Sequence, residues 1–298
     1  MAKTQKDQPA KASGATAEAK SAPKADITKK IVLTGADIVQ IGAEAELLVG
    51  GKNYNTAIIS QVAGIRAPQF RAISSIAFHL LLDETKVNAS LVRTIVDKEY
   101  NTTDWNDDEV NRDPEFLRKF TRRIAKRIKT EAVKNTGTLI KLRTFVNNVV
   151  EGFATSPEGI DQLRKRSVLV QAAILSVDLP NEVTEAVRTA YLDICAEAGL
   201  ENEPVAVRSS AAGEDSCKKA FAGLQDTYLN IVGDERCVEA YQWDCASAYN
   251  LRSMTYRREA ILDAVHKAEE TGDDSIAELA KKEWAIENTS LSVCIMRM

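Results

Sequence analysis

Apolar positions fall into short segments of changing period, with no long uninterrupted run. Residues 1–27 hold Lys, Ala, Ser and Pro almost without large apolar side chains, which predicts a disordered Lys/Ala-rich tail. Ordered sequence starts at the apolar run Ile31, Val32 and Leu33. Gly50 and Gly51 then break the chain just ahead of Lys52, and residues 53–64 read as a helix with Asn53 as cap and Gly64 as stop. Residues 67–73 contain Pro68 and read as extended. A helical periodicity follows, with Ser74 or Ser75 as its N-cap.

From residue 85 to 165 the pattern is polar and helical, as expected of an inserted segment. After an acidic, turn-rich link, Phe116, Phe120, Ile124 and Ile128 recur every four residues and line one face of a helix over 114–130. Arg118, Lys119, Arg122, Arg123, Lys126, Arg127 and Lys129 make its other face basic, which is either solvated or a docking surface for an acidic partner chain. Residues 136–153 read as a further helix ending near Gly152. Residues 160–198 are helical around the turn DLPNE, where Pro180 starts the second helix. Two strands follow, VAVRSS and TYLNIV, separated by small residues and acids. A long helix over 234–267, a short one over 275–286 and a β-branched strand, SLSVCIMRM, complete the pattern.

The 298 residues suffice for one large domain with a sizeable core. A net charge of -4 gives no reason to expect nucleic acid as a partner. Five cysteines, an odd number without a CxxC spacing, read as reduced thiols with no zinc site. The most apolar stretch, SVLVQAAILSV, is interrupted by Gln171 and too short to span a membrane. These features, with no targeting signal in the first residues, predict a cytoplasmic protein without a membrane or nucleic-acid partner.

The stretch VAVRSSAAGED–FAGLQDTYLNI carries the chemistry. Arg208 ends a strand and presents a planar fork that matches phosphate oxygens. Gly223 lets backbone amides approach an anion, and Ser209, Ser210 and Thr227 add hydroxyl donors. The alternative is a surface hairpin in which Arg208 pairs with Glu214 or Asp215. GGKN at residues 50–53 is a second phosphate candidate. It is not a Walker A loop, because Glu46 and Asn53 stand where that pattern requires Gly and Ser or Thr.

In order, LVGGKN, VAVRSSAAGED, FAGLQDTYLN, ASAYNLRSMTYRRE and VCIMRM resemble the N-terminal nucleotide-binding domain of the phosphoenolpyruvate synthase and pyruvate phosphate dikinase family. The resemblance runs from about Ile31 to Met298. It implies an α+β fold that is the first part of an ATP-grasp type domain over 28–298, carrying the helical insert. ATP is the implied ligand, with Lys52 and Arg208 at its phosphates and Arg208 catalytic. Gly223, Gln225, Asp226 and Thr227 then fall on a loop over the triphosphate, and Arg252 and Arg257 are structural. The second ATP-grasp half, with the Mg ligands, is expected outside this chain. So are the phosphohistidine domain and the substrate domain, which partner subunits would carry, as in the split architecture of phenylphosphate synthase. The acceptor is then pyruvate or a phenol-like compound. Departures from the pattern include Met296, in place of a Gln on the last strand. They leave an alternative: a non-catalytic regulatory or scaffold subunit, or a truncated, inactive relative.

Overall fold

The computed structural model describes residues 26–105, 114–135, 137–154, 159–211 and 226–298. The expected tail, the acidic link before Pro114, and Glu214, Asp215, Gly223 and Gln225 lie outside these residues or largely so.

A five-stranded antiparallel sheet organises the chain into an α+β fold. Its strands are β1 (Val32–Leu33), β2 (Phe70–Ile73), β5 (Val205–Ala211), β6 (Thr227–Ile231) and β7 (Leu291–Arg297), in the order β1-β2-β7-β5-β6. The C-terminal strand β7 thus sits at the centre, between β2 and β5. A separate two-stranded antiparallel sheet pairs β3 (Lys86–Asn88) with β4 (Leu139–Lys141). The β4 strand takes up the start of the stretch that reads as one helix over 136–153, because its backbone pairs with β3 before the helix begins at Leu142.

Both faces of the sheet are covered by helices. On one, Ile73, Val205, Val207, Leu291, Val293 and Ile295 join the main core. Its helical side comes from α3 (Ser75–Glu84), α4 (Ala89–Asn101), α5 (Pro114–Ala132), α6 (Leu142–Val150), α7 (Ile160–Ser176), α8 (Asn181–Ala198) and α9 (Asp234–Ser247). On the other, Phe70, Ala72 and Cys294 pack beneath α1 (Gly35–Ile41) and α2 (Ala45–Ile59) through Ile38, Val49 and Ala57. Helices α10 (Leu251–Thr271) and α11 (Asp274–Glu283) pair around Ala260, Ile261, Ala280 and Trp284. No helix among the described residues is long and apolar enough to cross a membrane.

Local signals explain most boundaries. Thr34 and Asp37 form a reciprocal capping box at α1, and Asn88 accepts from the Leu91 amide at 3.0 Å to start α4. The expected long helix over 234–267 is instead two, because Asn250 accepts from the Ser253 amide at 2.8 Å and begins α10 anew. Gly199, at φ 70° and ψ 25°, ends α8 in the left-handed conformation. Arg71 reaches from β2 to Asp193 and Glu197 and ties α8 to the sheet.

The glycines before Lys52 break the helix as expected: α2 consists of two helical segments that meet at a kink at Gly50, whose φ of 71° and ψ of 163° are essentially reserved for glycine. A Cβ there would lie 2.3 Å from the Ser210 carbonyl oxygen. Gly50→Ala is therefore expected to combine backbone strain with overpacking and to destabilise by about 3 kcal/mol or more. Equilibrium urea denaturation measures this, and a loss under about 1 kcal/mol would contradict the close approach.

The basic helix α5 is built into the main core through Phe120, Ile124 and Ile128. Its charged face is also engaged within the chain. Arg118 Nε lies 3.1 Å from Asp226 Oδ2, and Arg127 pairs with Glu99 and Glu131. The Arg122 guanidinium lies over the Trp243 ring at 3.7 Å from its centroid. Apart from Glu131, on the same helix, these partners are far away in sequence, so helical periodicity alone leaves the face solvated. Arg122→Glu is expected to cost about 1–2 kcal/mol by removing a partly desolvated cation–π contact. The same reversal at exposed Lys119 should stay within about 0.5 kcal/mol. Parallel chemical denaturation of the two variants separates them, and equal losses would refute a structural role for the arginine.

Candidate functional site

Antiparallel pairing puts directly opposed residues on the same face of a sheet. Arg208 is opposed by Cys294 on β7 and by Thr227 on β6, so the three form a row across adjacent strands. Cys294 packs in the cluster beneath α1 and α2, which identifies this as the face that α2 covers. Two residues along β5, Ser210 is opposed by Ser292 and meets α2 at Gly50. The strand geometry thus brings Arg208 and Thr227 to the same side of the sheet as the helix that carries Lys52.

Arg208 is half-buried, and its Nε is sealed from solvent with no hydrogen-bond partner among the described residues. Leaving such a group unsatisfied costs about 1–3 kcal/mol. The opposed Cys294 thiol is pushed up to about 12 by burial, against which the nearby Arg208 charge acts. It is therefore a neutral thiol that does not compensate the guanidinium. Thr227 is exposed at the start of the edge strand, and Lys52 is half-buried on α2. A cation and a hydroxyl on this sheet face, with a second cationic residue on the helix that covers it, suit a polyanion.

Three expected contributors are placed elsewhere. Ser210 is fully buried beneath Gly50, where its Oγ accepts from the Asn53 amide at 3.2 Å. Ser209 is opposed by Val293 and belongs to the opposite, main-core face. Neither hydroxyl joins the Arg208 row, because strand alternation separates Ser209 and close helix packing seals Ser210. Asp226 is likewise drawn towards the main-core side: its carboxylate pairs with Arg118 and accepts from the Tyr228 hydroxyl at 3.1 Å. Gly223 and Gln225 lie outside the described residues. Arg257 is buried in α10, where desolvation lowers its basicity.

Sequence reasoning missed the group that joins α2 to the sheet. Asn53 is not a cap but a side chain within α2, and it is buried. Its Nδ2 donates to the Val49 carbonyl at 2.9 Å and to Ser292 Oγ at 3.2 Å. The Ser292 hydroxyl is in turn within reach of the Val49 carbonyl and, at 2.9 Å, of the Ser210 carbonyl. The available signal was two polar residues, Ser210 and Ser292, inside strands whose other positions are mostly apolar.

His79 is committed elsewhere. Arg143 donates to its Nδ1 at 3.0 Å, and Ser290 Oγ lies 3.3 Å from its Nε2. Burial, followed by the adjacent Arg143 charge, lowers the basicity of the ring.

Residues 46–298, from α2 through β7, match the family described as pyruvate phosphate dikinase, AMP/ATP-binding domain. A probable phosphoenolpyruvate synthase of Pyrococcus horikoshii is 25% identical over 210 residues, which are 70% of this chain and 22% of the relative. A probable phosphoenolpyruvate synthase of Methanocaldococcus jannaschii is 33% identical over 131 residues, 44% of this chain and 10% of the relative. The phosphoenolpyruvate synthase of Aeropyrum pernix is 33% identical over 119 residues, 40% of this chain and 14% of the relative. The matched region thus spans at most 22% of the length of these relatives. With 46–298 matched, the chain belongs to the pyruvate phosphate dikinase AMP/ATP-binding domain family.

Proposed function

We propose that this chain contributes one half of an ATP site in a phosphoenolpyruvate synthase-like phosphotransferase. The carrying observation is Arg208, whose buried Nε has no partner among the described residues and whose strand face is the one α2 covers. A triphosphate offers what that guanidinium lacks: oxygens at hydrogen-bonding geometry and compensating charge. Lys52 supplies a second, point-like cation, and Thr227 a hydroxyl at the edge of the row. ATP, when bound, supplies the transferable phosphoryl group. Arg208 and Lys52 hold the phosphates and offset charge that builds on their oxygens during transfer, which is where most catalysis of this reaction class resides.

In this reading the chain is the first part of an ATP-grasp type domain, and the second half closes over the nucleotide from outside it. Among the described residues no three His, Cys, Asp or Glu side chains form a metal-binding cluster. The Mg ligands are assigned to that second half. The phosphohistidine domain and the substrate domain, with pyruvate or a phenol-like compound as acceptor, are assigned to partner subunits or to further parts of a longer polypeptide.

Titration calorimetry of the chain with Mg-ATP tests the half-site. Binding weaker than about 100 μM is expected, because half the enclosing contacts are absent. Arg208→Lys and Lys52→Ala should each weaken it further, by about tenfold or 1.4 kcal/mol, with little change in thermal stability. Low-micromolar binding would mean that the pocket is already complete. Unchanged affinity with a lowered melting temperature would make Arg208 a structural residue.

A further inference from the structure

Between Lys52 and Arg208 lies a buried polar knot that the phosphate reading does not use. It consists of Asn53, Ser210, Ser292 and the Val49 carbonyl, and it joins α2, β5 and β7 in one place. The Asn53 amide donates to Ser210 Oγ at 3.2 Å, and the Asn53 side chain donates to the Val49 carbonyl and to Ser292. Ser292 also faces the carbonyls of Val49 and Ser210. All three side chains are buried to 2% exposure or less.

Two features of the knot work against stability. Gly50 holds a backbone conformation closed to other residues, in the middle of a helix. Asn53 Oδ1 is buried without a hydrogen-bond partner among the described residues. The Asn53 amide cannot simply be turned over to relieve this, since the Val49 carbonyl requires a donor. A helix interrupted by a glycine-only conformation, together with an unsatisfied buried polar atom, marks a place where geometry is held for a purpose other than stability.

The knot sits where the placement of two cations is decided. Lys52 immediately precedes Asn53, whose amide is fixed to Ser210. Arg208 precedes Ser210 by two residues on the same face of β5, a span of about 7 Å along a strand. A shift of α2 along the sheet would therefore change the Lys52–Arg208 spacing directly. Apolar packing alone resists such sliding poorly, because it has no direction. The hydrogen bonds of Ser292 and Asn53 have both length and angle requirements.

We infer that Ser292, acting with Asn53 and Ser210, is a positioning residue that fixes the spacing of Lys52 and Arg208 for a triphosphate. This rests on the half-site reading above. Ser292 touches neither cation's charged group and acts only through the backbones it joins.

The test uses the whole chain with inorganic tripolyphosphate as probe, titrated by NMR well below the melting temperature, with Ser292→Ala, Ser292→Thr, Lys52→Ala and Arg208→Ala. Ser292→Ala is expected to weaken tripolyphosphate binding about tenfold and to shift the Arg208 Nε–H resonance in the unliganded protein. Ser292→Thr keeps the hydroxyl and should restore both. If Ser292→Ala does not fold, Ser292→Cys retains the volume with weaker hydrogen bonds and carries the same expectation. A lowered melting temperature with unchanged affinity and an unshifted Arg208 resonance would make the knot purely structural and overturn the inference. If Lys52→Ala and Arg208→Ala both leave the affinity unchanged, the half-site reading itself falls, and the positioning role falls with it.

Discussion

The backbone of α2 at Gly50 lies so close to the Ser210 carbonyl that no side chain fits between them. Helix–sheet packing usually rests on interlocking side chains, which separate the backbones by several ångströms. Here the separation collapses at one point, and three consequences follow. The helix must bend, since Gly50 leaves the helical conformation. The polar groups enclosed by the contact must find partners inside it, which Asn53 and Ser292 largely supply. Finally, the residue after Gly51 is brought near the strand that carries Arg208. A bulkier residue at position 50 would push α2 outward and loosen all three together.

The sheet divides its labour between its faces. The main-core face is packed with branched apolar residues from β5 and β7 and is sealed by helices. The other face carries Arg208, Ser210, Ser292 and Cys294 in adjacent register positions. The buried Nε of this arginine has no hydrogen-bond partner among the described residues, which costs the fold stability unless a further group meets it. Arg71, on β2, shows the contrasting solution: it is more deeply buried, yet two carboxylates from α8 surround it. Its Nε, like that of Arg208, has no hydrogen-bond partner among the described residues, but the α8 carboxylates compensate its charge.

Much of this was legible in the sequence because it is local. The apolar period of four in α5, the β-branched strand at the C-terminus and the Pro180 helix start each depend on neighbours within one or two turns. The motif around Arg208 was legible for a different reason, since its residue types suit a phosphate. What could not be read was long-range. The Asn53–Ser292 hydrogen bond spans 239 positions. Asn53 looked like a cap because Asn behind glycines usually is one. Likewise, Ser209 and Ser210 looked equivalent, whereas strand alternation sends one to each face. The Asp226–Arg118 pair escaped notice because α5 reaches β6 only in three dimensions.

The same geometry implies that ligand and fold are coupled. A bound triphosphate would relieve the unsatisfied Arg208 and so stabilise the folded state by mass action, about 2.7 kcal/mol at a concentration one hundred times its dissociation constant. That gain is of the order of the cost of leaving one buried polar group unpaired, about 1–3 kcal/mol. Among the described residues, the unpartnered Arg208 Nε and Asn53 Oδ1 carry a local penalty of a size that binding can offset. This argues against reading the knot as a defect of packing. A site for phosphates needs donors that a ligand can reach, and a surrounding backbone stiff enough to keep those donors in place. Strand β5, clamped between β6 and β7 and pinned to α2 through Ser210, meets that requirement.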